Sequence, residues 1–175
     1  MKICIFASSS KHLNKTYFDA ASDLGTLIGQ NGHSLIHGGG KEGLMGTVAD
    51  HVQLNGSMVI GIIPEKLNQK GIVRERDDQT IVTKSMAERK AKMFEMADVF
   101  IALPGGFGTL EELFEIITLN QLGYTQKPVI IMNINNYYDP LLKQFEKLFE
   151  EGFAQKQNSL YQVEESADEA LKLLK

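Results

Sequence analysis

Short uninterrupted apolar runs alternate along this chain with longer stretches in which apolar residues recur every three or four positions. The short runs cover residues 2–7, 33–37, 58–63, 99–103 and 128–133. An apolar run of that length without polar alternation predicts a strand buried on both faces. The longer stretches predict helices over 17–30, 44–54, 85–97, 109–122 and 138–151. In the first, Phe18, Ala21, Leu24 and Ile28 share one face, and Asn31-Gly32 ends it. In the last, Pro140 is tolerated in the first turn. Residues 80–83 and 160–163 read as short further strands and 166–174 as a closing helix. The polar segment 65–78 reads as a mobile loop near the site. Strands alternating with helices predict an α/β fold, a doubly wound parallel sheet covered on both faces. No repeat, linker or low-complexity tract divides the chain, so one domain is expected over 1–175. Counting the five main runs, the order 3-2-1-4-5 makes runs one and four neighbours at the topological switch point. The loops after runs one, two and four then meet at one sheet edge.

Two of those loops are glycine turns. The first is Leu103-Pro104-Gly105-Gly106-Phe107-Gly108-Thr109-Leu110-Glu111-Glu112. Its glycines let backbone approach a ligand without Cβ atoms in the way. Thr109 and Glu112 fit the S/T-x-x-E capping box, with Thr109 as N-cap and Glu112 at the third helical position. The free N–H groups and dipole of a helix start make an anion site, and a phosphate is the obvious guest. The second turn, Gly38-Gly39-Gly40-Lys41-Glu42-Gly43, matches G-x-G-x-x-G. It follows run two, whereas a dinucleotide fingerprint belongs after run one, which ends in serines. A tight packing turn and a ligand-contacting turn both remain open for it. Ser8, Ser9 and Ser10 are expected as hydrogen-bond donors to phosphate or ribose. Glu88-Arg89-Lys90 reads either as a solvated face or as a charged pair turned into a cleft. Met86, Met93 and Met96 favour the second by making that helix apolar enough to be packed. The planar fork of Arg89 suits phosphates and carboxylates.

Composition narrows the function classes. The net charge of −4 argues against a nucleic-acid binder that relies on a basic surface. No apolar run reaches the roughly 18 residues of a membrane span, and no signal-peptide pattern opens the chain. The lone Cys4 is expected as a small buried hydrophobe, and a reducing, cytoplasmic setting follows. His12, His33, His37 and His51 show no metal-ligand spacing, so no metal is expected. There is no G-x-S-x-G elbow, no P-loop lysine motif, and nothing that marks a Schiff-base lysine with its partners. No cofactor is expected.

Taken together, Pro104 to Glu112 fits P-G-G-x-G-T-x-x-E, preceded in register by Met86-Ala87-Glu88-Arg89-Lys90, Met93 and Asp98. Gly38-Gly39-Gly40 followed by Gly43-Leu44-Met45-Gly46 supplies a third signature. These three linked motifs resemble the Lonely Guy family, the cytokinin riboside 5′-monophosphate phosphoribohydrolases once described as lysine decarboxylases. The resemblance covers nearly the whole chain. It implies a Rossmann-like homodimer that hydrolyses the N-glycosidic bond of AMP or an N6-substituted AMP, releasing base and ribose 5-phosphate. By motif match, Arg89 and Glu112 would be the catalytic pair. Lys90, Gly106, Phe107, Gly108, Thr109, Leu110, Glu111 and Thr118 would contact substrate. Ser8, Ser9, Gly39, Gly40, Met86, Pro104 and Gly105 complete the expected binding set. This sequence departs from the family pattern at Ala7, where glycine is usual, at His37 in place of tyrosine, and at Leu119 in place of tryptophan. Lys70-Gly71 stands where many relatives carry an acidic residue, in a loop expected to border the base. The rival from another class is a nucleotide-binding carrier or sensor on the same fold without turnover.

Overall fold

The computed structural model describes residues 1–157 and 159–174. Strands β1 (Lys2–Phe6), β2 (Ser34–His37), β3 (Val59–Pro64), β4 (Gln79–Thr83), β5 (Val99–Ala102), β6 (Val129–Met132) and β7 (Gln162–Glu164) form one sheet. Between and after them run α1 (Lys15–Gln30), α2 (Gly43–Leu54), α3 (Met86–Met96), α4 (Phe107–Gln121), α5 (Asp139–Glu150) and α6 (Ala167–Lys172). The strand order is β4-β3-β2-β1-β5-β6-β7, and every pairing is parallel. Its centre, β3-β2-β1-β5-β6, is the expected doubly wound order, extended by one short strand at each edge.

Alternation along the strands decides which helices cover which face. Ile3 and Ile5 of β1 join Leu35, Val59 and Ile101 beneath α1, α2 and α6. Cys4 and Phe6 point the other way, into a layer with Ile36, Ile62 and Phe100 beneath α3, α4 and α5. Cys4 is fully buried, and that burial pushes its thiol well above its ordinary value, so it packs as an unreactive hydrophobe. The chain first winds outward from β1 to β4, then α3 carries it back across the sheet to β5. That reversal opens a crevice between the loops after β1 and β5.

Three expectations are corrected. The first helix starts at Lys15, ahead of residue 17, because the Asn14 side chain caps it by accepting from the Thr16 N–H. The edge strand expected at 160–163 lies at Gln162–Glu164. The segment 65–78 is tied down: a 3₁₀ turn over Glu65–Leu67 opens it, Lys41 N–H donates to Ile72 and Arg74 N–H to Gly39. Arg74 is 2% exposed, too deep for a residue of a loose loop. Among the described residues, no helix is long and apolar enough to cross a membrane.

Candidate active site

The loops after β1, β2 and β5 meet at the carboxyl edge of the sheet, where a doubly wound fold opens its crevice. They enclose a cleft of about 430 Å³. Its floor holds a buried ion pair between α3 and α4. Arg89 Nη1 donates to Glu112 Oε1 at 2.6 Å, and Arg89 Nε donates to the Ile62 carbonyl of β3 at 3.0 Å. Both side chains are nearly out of solvent, each residue being 6% exposed. Burial raises the Glu112 carboxyl above the ordinary glutamate value, against the opposing pull of the Arg89 charge. Glu112 Oε2 carries no hydrogen bond among the described residues. A carboxylate with one oxygen clamped, the other open to a cleft, and an elevated pKa is suited to proton transfer or to facing a developing cation.

The glycine turns make this geometry possible. A Cβ on Gly38 would collide with Arg89 Nη2, so the second glycine turn leaves room for the guanidinium. A Cβ on Gly105 would collide with the Thr109 side chain, which folds back under the first turn. That turn also overturns the expected capping box. Helix α4 begins at Phe107 with Gly106 as N-cap, and no side chain caps it. Thr109 lies inside the first turn, and Glu112 reaches across to Arg89. The backbone N–H groups of Gly106, Phe107, Gly108 and Thr109 therefore have no acceptor among the described residues, and Gly106, Gly108 and Thr109 line the cleft.

A family model described as "Possible lysine decarboxylase" matches residues 45–174. The cytokinin riboside 5′-monophosphate phosphoribohydrolase LOG2 of Arabidopsis thaliana is 44% identical over 152 residues, covering 87% of this chain and 71% of that one. LOG3 of the same plant is 45% identical with the same coverage. The chain belongs to the Lonely Guy family. The molybdenum cofactor binding protein of Rippkaea orientalis superposes with a TM-score of 0.74 over 99% of this chain and 94% of that one. At 24% identity that likeness shows the Rossmann-like fold alone.

The residues expected in the Lonely Guy site fall in four places in the structure. Ser8, Ser9, Gly40, Met86, Arg89, Gly106, Gly108, Thr109 and Glu112 line the cleft. Gly39 lies just behind it, packed against Ile63, with a positive φ of 74°. Pro104 and Gly105 border a smaller adjoining cavity of about 230 Å³, beside Tyr17 and Tyr137. Lys90, Phe107, Leu110, Glu111 and Thr118 are absent from the cleft wall. Lys90 pairs with Glu111 and, at 2.5 Å, with Glu115. Burial works against its charge, but the hydrogen bonds to these two carboxylates outweigh it and raise its pKa. Phe107 is 94% exposed, and the Thr118 hydroxyl donates to Phe114 within α4.

Sequence reasoning missed several wall residues of the Lonely Guy cleft. Gly38 and Met45 sit inside the noted motifs without being expected as substrate contacts, whereas Ser10 lines the cleft as its expected donor role requires. Leu67 and Ile72 come from the polar 65–78 segment, and no periodicity marks them. What holds that segment is a buried polar cluster. His37 Nε2 lies 2.8 Å from Asp77 Oδ2, and Arg74 donates to Asp77, Asp50 and Gln53. His37 is fully buried, and its Nδ1 has no partner among the described residues. So the departure from tyrosine at His37 recruits an aspartate 40 residues away. A second cleft of about 490 Å³ lies beyond this segment, lined in part by Lys41, Asp50, Arg74 and Arg76. Arg74 and Arg76 are both engaged by Asp50 there.

Proposed function

We propose that this protein hydrolyses the N-glycosidic bond of AMP-type nucleoside 5′-monophosphates, N6-substituted AMP included, releasing the free base and ribose 5-phosphate. The 175 residues act as one hydrolase domain. The observation that carries this reading is the Arg89–Glu112 pair, buried on the floor of a cleft whose mouth is the uncapped start of α4. The free N–H groups of residues 106–109 take the 5′-phosphate, helped by the positive end of the helix dipole. Ser8 and Ser9 on the facing loop supply hydroxyls to phosphate or ribose. The ribose then lies over Glu112.

Departure of the base leaves an oxocarbenium-like ribose, as in other glycoside hydrolyses. Glu112, through its open Oε2, faces that positive charge and takes the proton of the attacking water, which it returns to solvent, while the base, having left with the bonding electron pair, takes up a proton from solvent. Its elevated pKa brings it closer to neutrality, where a general base works best. Arg89, clamped by Ile62 and Glu112, holds the carboxylate in position and offers its remaining N–H groups to the substrate. Leu67, Ile72 and Met86 give the base end an apolar wall.

The protein works as a homodimer. Met86, Phe107, Phe114, Leu122 and Tyr124 are exposed on or beside α3 and α4, a concentration of large apolar side chains that a second copy would cover. Lys90, Glu111 and Thr118 share this side of the molecule, so their family-implied substrate contacts would be made across the two-fold interface. A monomer by light scattering at micromolar concentration would overturn this.

The deciding experiment is base release from AMP, an N6-substituted AMP and adenosine. The nucleotides are cleaved and adenosine much less. Equal turnover of AMP and adenosine overturns the phosphate assignment. Nucleotide binding without base release would establish instead the carrier or sensor reading.

A further inference from the structure

The turn that receives the phosphate has to keep its N–H groups pointed at the cleft, which requires its carbonyls to be held on the opposite side. Three consecutive carbonyls of the turn are held by hydrogen bonds. The Tyr138 hydroxyl donates to Leu103 O at 2.7 Å, the Ser8 N–H to Pro104 O at 3.3 Å, and the Tyr137 hydroxyl to Gly105 O at 2.7 Å. Two of the three donors come from adjacent residues on another element, 35 and 32 positions away in sequence.

The segment that delivers them has an unusual backbone. After β6 the chain passes through a 3₁₀ turn over Ile134–Asn136, in which Asn135 and Asn136 have φ of 53° and 57°. Non-glycine residues enter that region at a cost, and asparagine at the least. The Asn133 side chain secures the turn: Oδ1 accepts from Tyr138 N–H at 2.7 Å and Nδ2 donates to Asp139 at 2.8 Å. The result points two neighbouring tyrosines at one target. Their rings meet edge to face at 4.9 Å, and Tyr137 meets Tyr17 of α1 in the same way at 6.0 Å. Burial also holds the Tyr138 phenol well above its ordinary value, so it stays a donor.

We propose that Tyr137 and Tyr138 are positioning residues for the phosphate: their hydroxyls brace the carbonyls of Leu103 and Gly105 and so orient the N–H groups of residues 106–109. The proposal rests on the phosphate-binding role given to that turn above. Neither tyrosine lines the main cleft, so both act through the turn.

The test compares Tyr137→Phe, Tyr138→Phe and the double variant with the wild type. Each change removes one hydroxyl and keeps the ring. Binding of ribose 5-phosphate is followed by calorimetry, and AMP hydrolysis by steady-state kinetics. Each single variant weakens ribose 5-phosphate and raises the KM for AMP by roughly three- to tenfold, the worth of one hydrogen bond. The larger part of the effect falls on KM, with kcat changing less. A merely structural role would instead lower the active fraction, reducing kcat at constant KM. Tyr138 is buried and its variant is the more exposed to misfolding; the half-exposed Tyr137 keeps the test decisive by itself. Wild-type protein that binds ribose 5-phosphate while Tyr137→Phe binds it equally overturns the brace alone. Wild-type protein that neither cleaves AMP nor binds ribose 5-phosphate overturns the functional reading, and the brace with it.

Discussion

Helices α3 and α4 both begin near the pattern S/T-x-x-E, yet the two glutamates do opposite things. At α3, Ser85 is the N-cap: its hydroxyl accepts from Glu88 N–H at 3.1 Å, and the Glu88 carboxylate accepts from Lys84 N–H at 2.9 Å. That is a capping box displaced by one residue, the carboxylate taking the N–H before the N-cap, and its members are exposed to solvent. At α4, Thr109 lies within the helix and Glu112 leaves the helix start unprotected to pair with Arg89. The difference lies in what surrounds each glutamate. Glu88 is in water, where the nearest orphan N–H is its best partner. Glu112 sits beside a buried guanidinium that would be costly to leave unpaired. The same pattern therefore closes one helix and opens another, and the opened one is where the ligand goes.

The sharpest way to break this contrast is to neutralise both glutamates. Glu112→Gln keeps a hydrogen-bonding group but loses charge and basicity, so turnover of AMP falls by roughly 10²–10⁴-fold. Glu88→Gln keeps the box, because glutamine also serves there, and turnover stays near that of the wild type. Rates for the two proteins, with melting temperatures to show both fold, decide it. Wild-type turnover in Glu112→Gln would reduce Glu112 to a structural ion-pair partner.

Arg89→Lys tests whether the pair needs a fork or only a charge. Lysine cannot reach both Ile62 O and Glu112 with fixed planar geometry, so activity drops about tenfold or more despite the retained cation. Removing the charge altogether, as in Arg89→Met, withdraws the influence that lowers the Glu112 pKa while burial still raises it. The acid limb of the residual kcat/KM profile then moves to higher pH. An unmoved limb in that variant would mean that Glu112 does not titrate in the rate.

Ser85→Ala and Thr109→Ala probe the caps themselves. Loss of the Ser85 hydroxyl costs about 0.5–2 kcal/mol, read from denaturant unfolding. Thr109 makes no cap, so its replacement costs no capping energy, and its effect appears in affinity for the phosphate end of the substrate. Equal stability of wild type and Ser85→Ala would break the assignment of the box to α3.

The smallest effect is a pH dependence of stability. Because the folded Glu112 pKa is raised, its contribution is fully present below the ordinary glutamate value and is lost as pH rises through the folded one. Glu112→Gln removes that loss. The difference in melting temperature between the variant and the wild type therefore shifts in the variant's favour from acid to neutral pH.

Much of this protein is legible along the chain. The apolar runs of β1, β2, β3, β5 and β6 are buried on both faces and read as strands without any partner in view. The glycine turns announce close backbone approach, and the three motifs lead to the Lonely Guy family. Arg89 and Glu112 were both visible as chemistry. What only the tertiary structure decided is which partner each polar group chose. Glu112 has a nearby candidate in its own helix start and a distant one in Arg89, and burial of the distant one settles the competition. His37 is one more residue of a strand until Asp77 and Arg74 close on it from the 65–78 segment, turning an expected loose loop into a cleft wall. Tyr138 reads as the start of a helix and Tyr137 as the residue before it, and their target carbonyls lie more than thirty residues away. Periodicity records which side of an element is dry, a local property. The choice among hydrogen-bond partners depends on desolvation, and desolvation exists only after the elements have packed.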